Sequence, residues 1–349
     1  MQFWRGKRVL ITGDTGFKGS WLTLWLHDLG AQTFGCALPP DTTPALFNQL
    51  ELHTLTHGYI CDIRDEVALR ARVLDVQPDV IFHLAAQPLV RLSYDDPLTT
   101  WGSNVMGTAN LLNAVRALTS KVAVVAITTD KVYQNLETTT PYTEADRLGG
   151  HDPYSASKAA TELVVASYRS AFFQQNSQIR VATARAGNVI GGGDWAQDRL
   201  VPDIVRALAQ SQPVSVRNPN SVRPWQHVLD PLSGYLRLAE RLYTDPDPAF
   251  QSAFNFGPNT DDSHSVKELV EASFRVWPGQ WSEDIDPNAP HEANLLNLTI
   301  EKSRDLLGWS PRWDFAAAVE HTLRWYQQQN AQAAPLALAR AEIVRFMNT

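Results

Sequence analysis

Cysteine, clustered basic charge and long hydrophobic runs are the scarce features of this 349-residue chain. Two cysteines, Cys36 and Cys61, cannot build a disulfide framework, which fits a reducing compartment. Each lies in an apolar run that reads as a strand, so both read as buried thiols. No apolar stretch reaches the roughly 20 residues that a membrane span requires. Lysine and arginine nowhere form a block and the net charge is −7, which argues against nucleic acid or an anionic membrane as partner. The charged start Met1–Arg8 is followed only by the short apolar run Val9–Thr12 and then glycine. That is too little for an export signal, and a cytoplasmic location is expected. No His/Cys/Asp spacing suggests a metal site.

Hydrophobic residues make up 44% and charged residues 19%, which describes a folded globular protein rather than a disordered one. The first half alternates apolar strands with helices. Strands are expected at Arg8–Thr12, Gln32–Leu38, Gly58–Cys61, Asp79–Ala86, Val122–Thr128 and Ile179–Arg185. Helices are expected at Phe17–Leu29, Asp65–Gln77, about Leu98–Leu118 and Pro153–Phe173. Fully apolar strands separated by helices imply an α/β fold with a doubly wound parallel sheet of the Rossmann type. After about Gly187 the alternation gives way to Gly191-Gly192-Gly193, prolines and scattered arginines, as expected for a smaller C-terminal substrate domain. The expected division is residues 1–187 for the first domain, completed by part of 228–258, then 188–330. The Ala- and Gln-rich 331–349 would be a surface helix or a frayed tail.

Thr12-Gly13-Asp14-Thr15-Gly16-Phe17-Lys18-Gly19 lies between the first strand and the first helix. A dinucleotide diphosphate needs a tight turn, backbone without Cβ at closest approach, and the free N–H groups of a helix start. Gly13, Gly16 and Gly19 meet those needs, with Gly-x-x-Gly-x-x-Gly spacing in place of the commoner Gly-x-Gly-x-x-Gly. The acid that would take the adenosine ribose after the second strand is Asp41, beyond Pro39-Pro40; it is equally well a plain loop residue. The carboxylate of Asp62 could accept from the adenine amine. No Arg or Lys stands between Gln32 and Asp41 to hold a 2′-phosphate, which favours NAD over NADP.

Tyr154 and Lys158 are four apart at the start of a helix and share a face. An ammonium beside a phenol stabilises the phenolate, giving a base that can take an alcohol proton while hydride leaves the same carbon. Between Arg180 and Asp230 there are six arginines (180, 185, 199, 206, 217, 223), no lysine and four aspartates. Arginine suits bidentate phosphate recognition. Arg199, Arg217 and Arg223 are therefore candidates for a substrate diphosphate, with surface ion pairing as the alternative for each.

Thr12–Gly19, His83–Ala86, Asn104 in Asn-Val-Met-Gly-Thr, Thr129-Asp130-Lys131, Tyr154/Lys158 and Arg185-Ala-Gly-Asn188 together resemble the extended short-chain dehydrogenase/reductase family, and within it the nucleotide-sugar 4,6-dehydratases. The likeness runs from Trp4 to about Trp325. Lys131 stands where those dehydratases usually carry Glu. That departure, with Phe17–Trp21, Gln87–Tyr94, Gly191–Trp195 and Arg223–Val228, resembles the branch that acts on CDP-glucose.

The resemblance implies an NAD cofactor held by Gly13, Thr15, Gly16, Phe17, Lys18, Gly19, Asp62, Ile63, Leu84, Ala85, Ala86, Asn104, Tyr154 and Lys158. It implies a catalytic set of Thr129, Asp130, Lys131, Tyr154 and Lys158. Substrate contacts would come from Gln87, Arg91, Asn188, Arg199, Arg217, Arg223 and His291, with Glu292 beside it. It also implies a homo-oligomer, dimer or tetramer, pairing through the helices at about 98–118 and 153–173; Leu111, Leu112, Val115, Leu163 and Val164 would serve that contact or the chain's own core. The implied reaction oxidises the sugar at C4, eliminates water across C5 and C6, and reduces C6. Tyr154 would take the C4 hydroxyl proton with Thr129 on the same oxygen, Asp130 would act as acid and Lys131 as base, unless the last two merely neutralise each other. Trp195 and Trp225 either flank the nucleoside base or pack in the core. His83 reads as a hydrogen-bonded strand end. Two alternatives stand beside this reading: a 4-epimerase on the same fold, and a non-catalytic NAD-binding protein.

Overall fold

The computed structural model describes residues 2–174, 178–284 and 296–349. Six parallel strands form the central sheet: β1 (Arg8–Thr12), β2 (Gln32–Cys36), β3 (Val80–His83), β4 (Val122–Ile127), β5 (Ile179–Ala186) and β6 (Ala253–Phe256), in the order β6-β5-β4-β3-β1-β2. Alternate residues of a strand face opposite sides. Val9, Ile11, Phe82 and Val125 thus enter one core with the helices Phe17–Asp28 and Leu229–Thr244. Leu10, Ile81 and Val124 enter a second core with the helices Glu66–Val76 and Gly107–Val115. Both faces of the sheet are covered, so its inner strands are mostly apolar and the polar residues they carry, such as Thr183 and Arg185 of β5, are buried with hydrogen-bond partners. The chain returns to the sheet at β6 after the segment that carries the clustered arginines.

Several expected boundaries shift, each for a local reason. Gly58–Cys61 is not a regular strand. It runs along β2 with only the bridges Phe34–His57 and Ala37–Ile60, because it lies at the sheet edge and begins on a glycine. Cys61 therefore sits in an edge segment rather than a strand, although both thiols are free and buried. β3 ends at His83, and Leu84–Ala86 leave the sheet as a loop. The long helix expected near 98–118 is composite: helical over Pro97–Trp101, a π turn over Gly102–Met106, then helical over Gly107–Val115. Glycines, poor helix formers, begin the π turn and follow it, and a Cβ at Gly107 would lie 2.4 Å from Ile63 Cδ1. Leu111, Leu112 and Val115 are buried in the chain's own core, whereas Leu163 is 61% exposed. Within 331–349, Pro335–Asn348 is a helix, fastened by the buried Phe346 edge-on to Trp25 and by Arg340 paired with Asp28 at 3.1 Å.

Candidate active site

Thr12 pairs with His83, and His83 with Ala126, so the carboxyl ends of β1, β3 and β4 stand level. The order of strands reverses at β1, the place where open α/β sheets bind ligands. The loops leaving these ends open on one cleft of about 1480 Å³, room for two nucleotide-sized ligands.

The glycine turn forms the floor of this cleft. Gly13 has φ +76°, and a Cβ there would sit 2.7 Å from the Ala85 nitrogen. Gly19 lies so close beneath the Gly13 carbonyl that no larger residue fits. Gly16 differs: the nearest protein atom to a Cβ there is the Gly13 oxygen at 3.5 Å, and the residue borders the cleft. It keeps space for a ligand rather than for packing. Gly16 is also the N-cap of the helix Phe17–Asp28 and supplies no side-chain cap, so the helix start presents unoccupied N–H groups to an anion. A dinucleotide diphosphate fits this cradle. Thr15, Phe17, Lys18, Asp41, Asp62, Ile63, Leu84, Ala85 and Ala86 line the same cleft. Asp62 is forked by Arg64, with its carboxyl held below the usual range by that contact. The Thr15 hydroxyl donates to the Leu38 carbonyl at 2.9 Å.

Asn104 and Gln87 do not reach the cleft wall; they stand behind it. Asn104 Nδ2 donates to Ser157 Oγ (2.8 Å) and to the Gln87 carbonyl, while its Oδ1 accepts from the Gln87 nitrogen (2.8 Å). The π turn leaves the Asn104 carbonyl open to the hydroxyls of Thr108 and Thr161, a common use of such turns at functional sites. Gln87 spends its amide on Thr100 and on the Leu89 backbone. His83 bridges Thr12 (2.7 Å) and Thr108 (3.0 Å), and burial pushes its imidazole down to about 3. It is a neutral strand-end residue, as expected from sequence.

The reacting groups meet where β4 ends and the helix Pro153–Tyr168 begins. Thr129 Oγ1 donates to Asp130 Oδ1 at 2.9 Å, Lys131 Nζ donates to the same oxygen at 3.1 Å, and Tyr154 lines the cleft beside them. Asp130 is buried, 1% exposed, and a Cβ at Gly187 would stand 2.9 Å from its Oδ2. Lys158 Nζ donates to the Ile127 carbonyl at 3.3 Å. One electrostatic expectation changes. Burial raises the Tyr154 phenol to about 12, against the pull of Thr129, and lowers the Lys158 ammonium to about 8, against the charge of Glu162. In the protein by itself desolvation outweighs the ammonium's effect on the phenol.

The opposite wall carries the arginines. Arg199 pairs with Asp194 (2.9 Å), and Arg217 pairs with Asp198 (3.0 Å), which also faces Arg91 at 3.6 Å. All three arginines border the cleft, as do Arg223 and Asn188; the Asn188 Oδ1 is buried without a hydrogen-bond partner. Trp195 and Trp225 border it as well, but each is also packed: Trp195 edge-on to Tyr326, Trp225 donating to the His264 carbonyl. Behind this wall the turn Gly191–Asp194 is held by Trp21 Nε1 on the Gly192 carbonyl (3.0 Å), by Tyr326 on the Asp194 carbonyl (2.7 Å), and by Trp325, against which a Cβ at Gly192 would collide. His291 and Glu292 lie outside the described residues. Among the described residues no cluster could hold a metal ion. Sequence reasoning passed over the acids that hold the arginines, Asp194 and Asp198, and the buried Glu162 beneath Thr128. Only the count of four aspartates among the six arginines hinted at the first two.

The chain matches the family model for GDP-mannose 4,6 dehydratase over residues 10–322. It is 45% identical to the CDP-glucose 4,6-dehydratase of Salmonella typhimurium, over 99% of this chain and 98% of that one. Two solved structures share its fold. One is a UDP-glucose-4-epimerase from Stenotrophomonas maltophila with bound NAD and formylated UDP-arabinopyranose, with TM-score 0.80, 23% identity, and 94% and 100% of the two chains covered. The other is the dTDP-glucose 4,6-dehydratase of Bacillus anthracis in complex with NAD, with TM-score 0.76, 21% identity, and 94% and 99% covered.

Proposed function

Since this chain belongs to the GDP-mannose 4,6-dehydratase family, we propose that the Thr129–Tyr154 cleft is where it converts CDP-glucose to CDP-4-keto-6-deoxyglucose and water. It is an NAD-dependent hydro-lyase of the extended short-chain dehydrogenase/reductase type. The observation that carries the mechanism is that Thr129 and Lys131 share one Asp130 oxygen at the cleft wall that Tyr154 also lines. It joins a group suited to oxidation with a pair suited to elimination.

Gly13, Gly16 and the start of the helix Phe17–Asp28 would hold NAD, which when bound would supply the acceptor for the C4 hydride and its return to C6. The protein does the rest. Tyr154 receives the C4 hydroxyl proton, and Thr129 hydrogen-bonds the same oxygen. The C4 ketone acidifies the C5 hydrogen, which Lys131 removes as its free amine. Asp130, in its protonated form, supplies the proton with which the C6 hydroxyl departs as water. Asp130 and Lys131 are a neutralising pair in the resting protein; passing one proton between them yields the neutral acid and neutral amine that the elimination requires. Arg91, Arg199, Arg217, Arg223 and Asn188 receive the nucleotide diphosphate, with Asp194 and Asp198 as resting partners that the phosphates replace. Asn104 and Gln87 position the wall rather than touch a ligand.

Residues 1–187 together with β6 bind the cofactor, 188–330 bind the nucleotide sugar, and the helix Pro335–Asn348 braces both. Leu98, Trp101, Met106 and Leu163, exposed on two neighbouring helices, form the contact with a second copy. The enzyme works in the cytoplasm; among the described residues no helix is long and apolar enough to cross a membrane.

CDP-glucose deuterated at C4 tests the reading. The product should have lost one water and carry the label at C6. A 4-epimerase would return the label to C4 with no loss of water, and an NAD-binding protein without activity would leave the substrate unchanged.

A further inference from the structure

Gly187 stands just after β5 and borders the cleft. Its φ is not positive, so the backbone there makes no demand for glycine. The demand is for space. A Cβ at 187 would lie 2.9 Å from Asp130 Oδ2 and 3.2 Å from Pro224 Cγ, both inside van der Waals contact. The chain has little freedom to retreat. Two residues earlier, Arg185 is gripped by Glu162. One residue later, the Asn188 carbonyl accepts from the Gln226 nitrogen at 3.1 Å, and Val189 pairs with Gln226. Pro224 is fixed as well: the Trp225 nitrogen donates to the Arg223 carbonyl across it, and the Trp225 indole donates to the His264 carbonyl. The Asp130 carboxylate is the part that would give way.

The two oxygens of Asp130 are used differently. Oδ1 accepts from both Thr129 Oγ1 (2.9 Å) and Lys131 Nζ (3.1 Å). Among the described residues no donor reaches Oδ2, the oxygen that Gly187 faces. We propose that Gly187 is a positioning residue for the elimination step, its missing side chain holding open the place beside Asp130 Oδ2 that receives the sugar's C6 hydroxyl. This deepens the dehydratase reading and rests on it. An acid must stand within hydrogen-bond reach of the group it protonates, and Oδ1 already serves two donors. The proton passes from Oδ2 to the C6 oxygen as the C6–O bond breaks. Lys131 takes the C5 proton, and a C5–C6 double bond and water result. A methyl group at 187 would fill that approach and turn the carboxylate aside. The oxidation at C4 makes no use of this space.

The test compares wild type, Gly187→Ala, Asp130→Ala and the double variant, all NAD-loaded. With CDP-glucose, Gly187→Ala should lower kcat for dehydration by roughly 10²-fold and keep KM within about twofold. Reduced cofactor, seen by its absorbance, should accumulate. Added to Asp130→Ala, the same change should cost no further activity. Thermal denaturation reads the contact itself: Gly187→Ala should lower Tm in the wild-type background and by less than about half as much in the Asp130→Ala background. If Gly187→Ala alone cannot fold, the double variant still should. Full turnover in Gly187→Ala overturns the proposal, as does an equal loss of Tm, or of folding, in both backgrounds. So does a loss of cofactor reduction that matches the loss of product, which would make Gly187 a support for the whole site. If wild type forms no 4-keto-6-deoxy product, the dehydratase reading fails and takes this role with it, while the Tm comparison still shows whether the Cβ meets Asp130.

Discussion

Arg185 grips Glu162 with two parallel hydrogen bonds, Nε to Oε1 at 3.0 Å and Nη2 to Oε2 at 2.9 Å, with both side chains 4% exposed. The same carboxylate accepts from Thr128 Oγ1 at 2.6 Å and from Thr183 Oγ1 at 2.8 Å. Arg185 continues to the Tyr133 hydroxyl, and Tyr133 donates to Asn255. One buried acid therefore ties the residue before Thr129 to β5 and to the helix that carries Tyr154 and Lys158. Glu162→Ala leaves the buried guanidinium without its carboxylate, with only the Tyr133 hydroxyl and the Glu144 carbonyl as partners, and should destabilise the fold by about 3–5 kcal/mol. Chemical denaturation checks this; a loss of less than about 1 kcal/mol would contradict the account.

Lys131→Ala should separate the two halves of the reaction. On adding CDP-glucose to NAD-loaded protein, absorbance of reduced cofactor should appear and persist, while dehydrated product falls by roughly 10²–10⁴-fold. Tyr154→Phe should show no reduced cofactor at all. Normal turnover in the lysine variant would remove Lys131 from the chemistry.

Arg217 rests on Asp198 and reaches toward Asp203 at 4.0 Å. The proposed phosphate contact, made equally in ground and transition states, would bear on KM rather than kcat. Arg217→Ala should raise KM for CDP-glucose by about tenfold or more with kcat within about twofold. A change in kcat alone would place the residue elsewhere in the mechanism.

Asp230 is wholly buried, accepts from the Arg312 nitrogen at 2.7 Å, and leaves its Oδ2 without a partner. Burial raises its carboxyl from 3.8 to about 7. The folded chain therefore keeps this proton between about pH 4 and pH 7 while the unfolded chain releases it, so the group's contribution to stability falls as pH rises through that window. Asp230→Asn keeps an acceptor for Arg312 and carries no charge. Its Tm relative to wild type should be higher at pH 8 than at pH 4.5. A difference that is flat with pH would show that the carboxyl ionises freely in the fold.

Leu98 and Leu163, 82% and 61% exposed, should pass out of water in the dimer. Light scattering should give about twice the chain mass for wild type and the single-chain mass for Leu98→Glu/Leu163→Glu. A wild-type monomer would refute the pairing.

The parts of this site that could be read from sequence are those where one residue type alone satisfies the geometry. Gly13 and Gly19 have no room for a Cβ, and a Tyr–Lys pair four apart must share a helix face. The covered sheet was equally legible, since strands buried on both sides read as mostly apolar runs. What stayed hidden depends on where side chains point or on partners distant in the chain. Glu162 meets Arg185 across 23 positions, and nothing in either neighbourhood announces the other. Gln87 and Asn104 look like ligand contacts in one dimension, yet both turn inward, Gln87 to Thr100 and the Leu89 backbone, Asn104 to Ser157 and the Gln87 backbone. Leu111 and Leu112 fit a partner surface by pattern alone; the π turn ahead of them fixes which way that face looks. The phenol's electrostatics were misjudged because a motif conveys charge but not the loss of water around it.

The turn Gly191–Asp194 also ties the glycine-turn wall of the cleft to the arginine wall. Trp21 reaches it from the very helix whose start cradles the cofactor diphosphate, and Trp325 and Tyr326 press on it from the far side. Asp194, at the end of that turn, in turn sets Arg199. Packed rings thus fix where Arg199 stands relative to the glycine turn, so the width of the cleft between those two walls is set by the protein's own packing and not by whatever enters it.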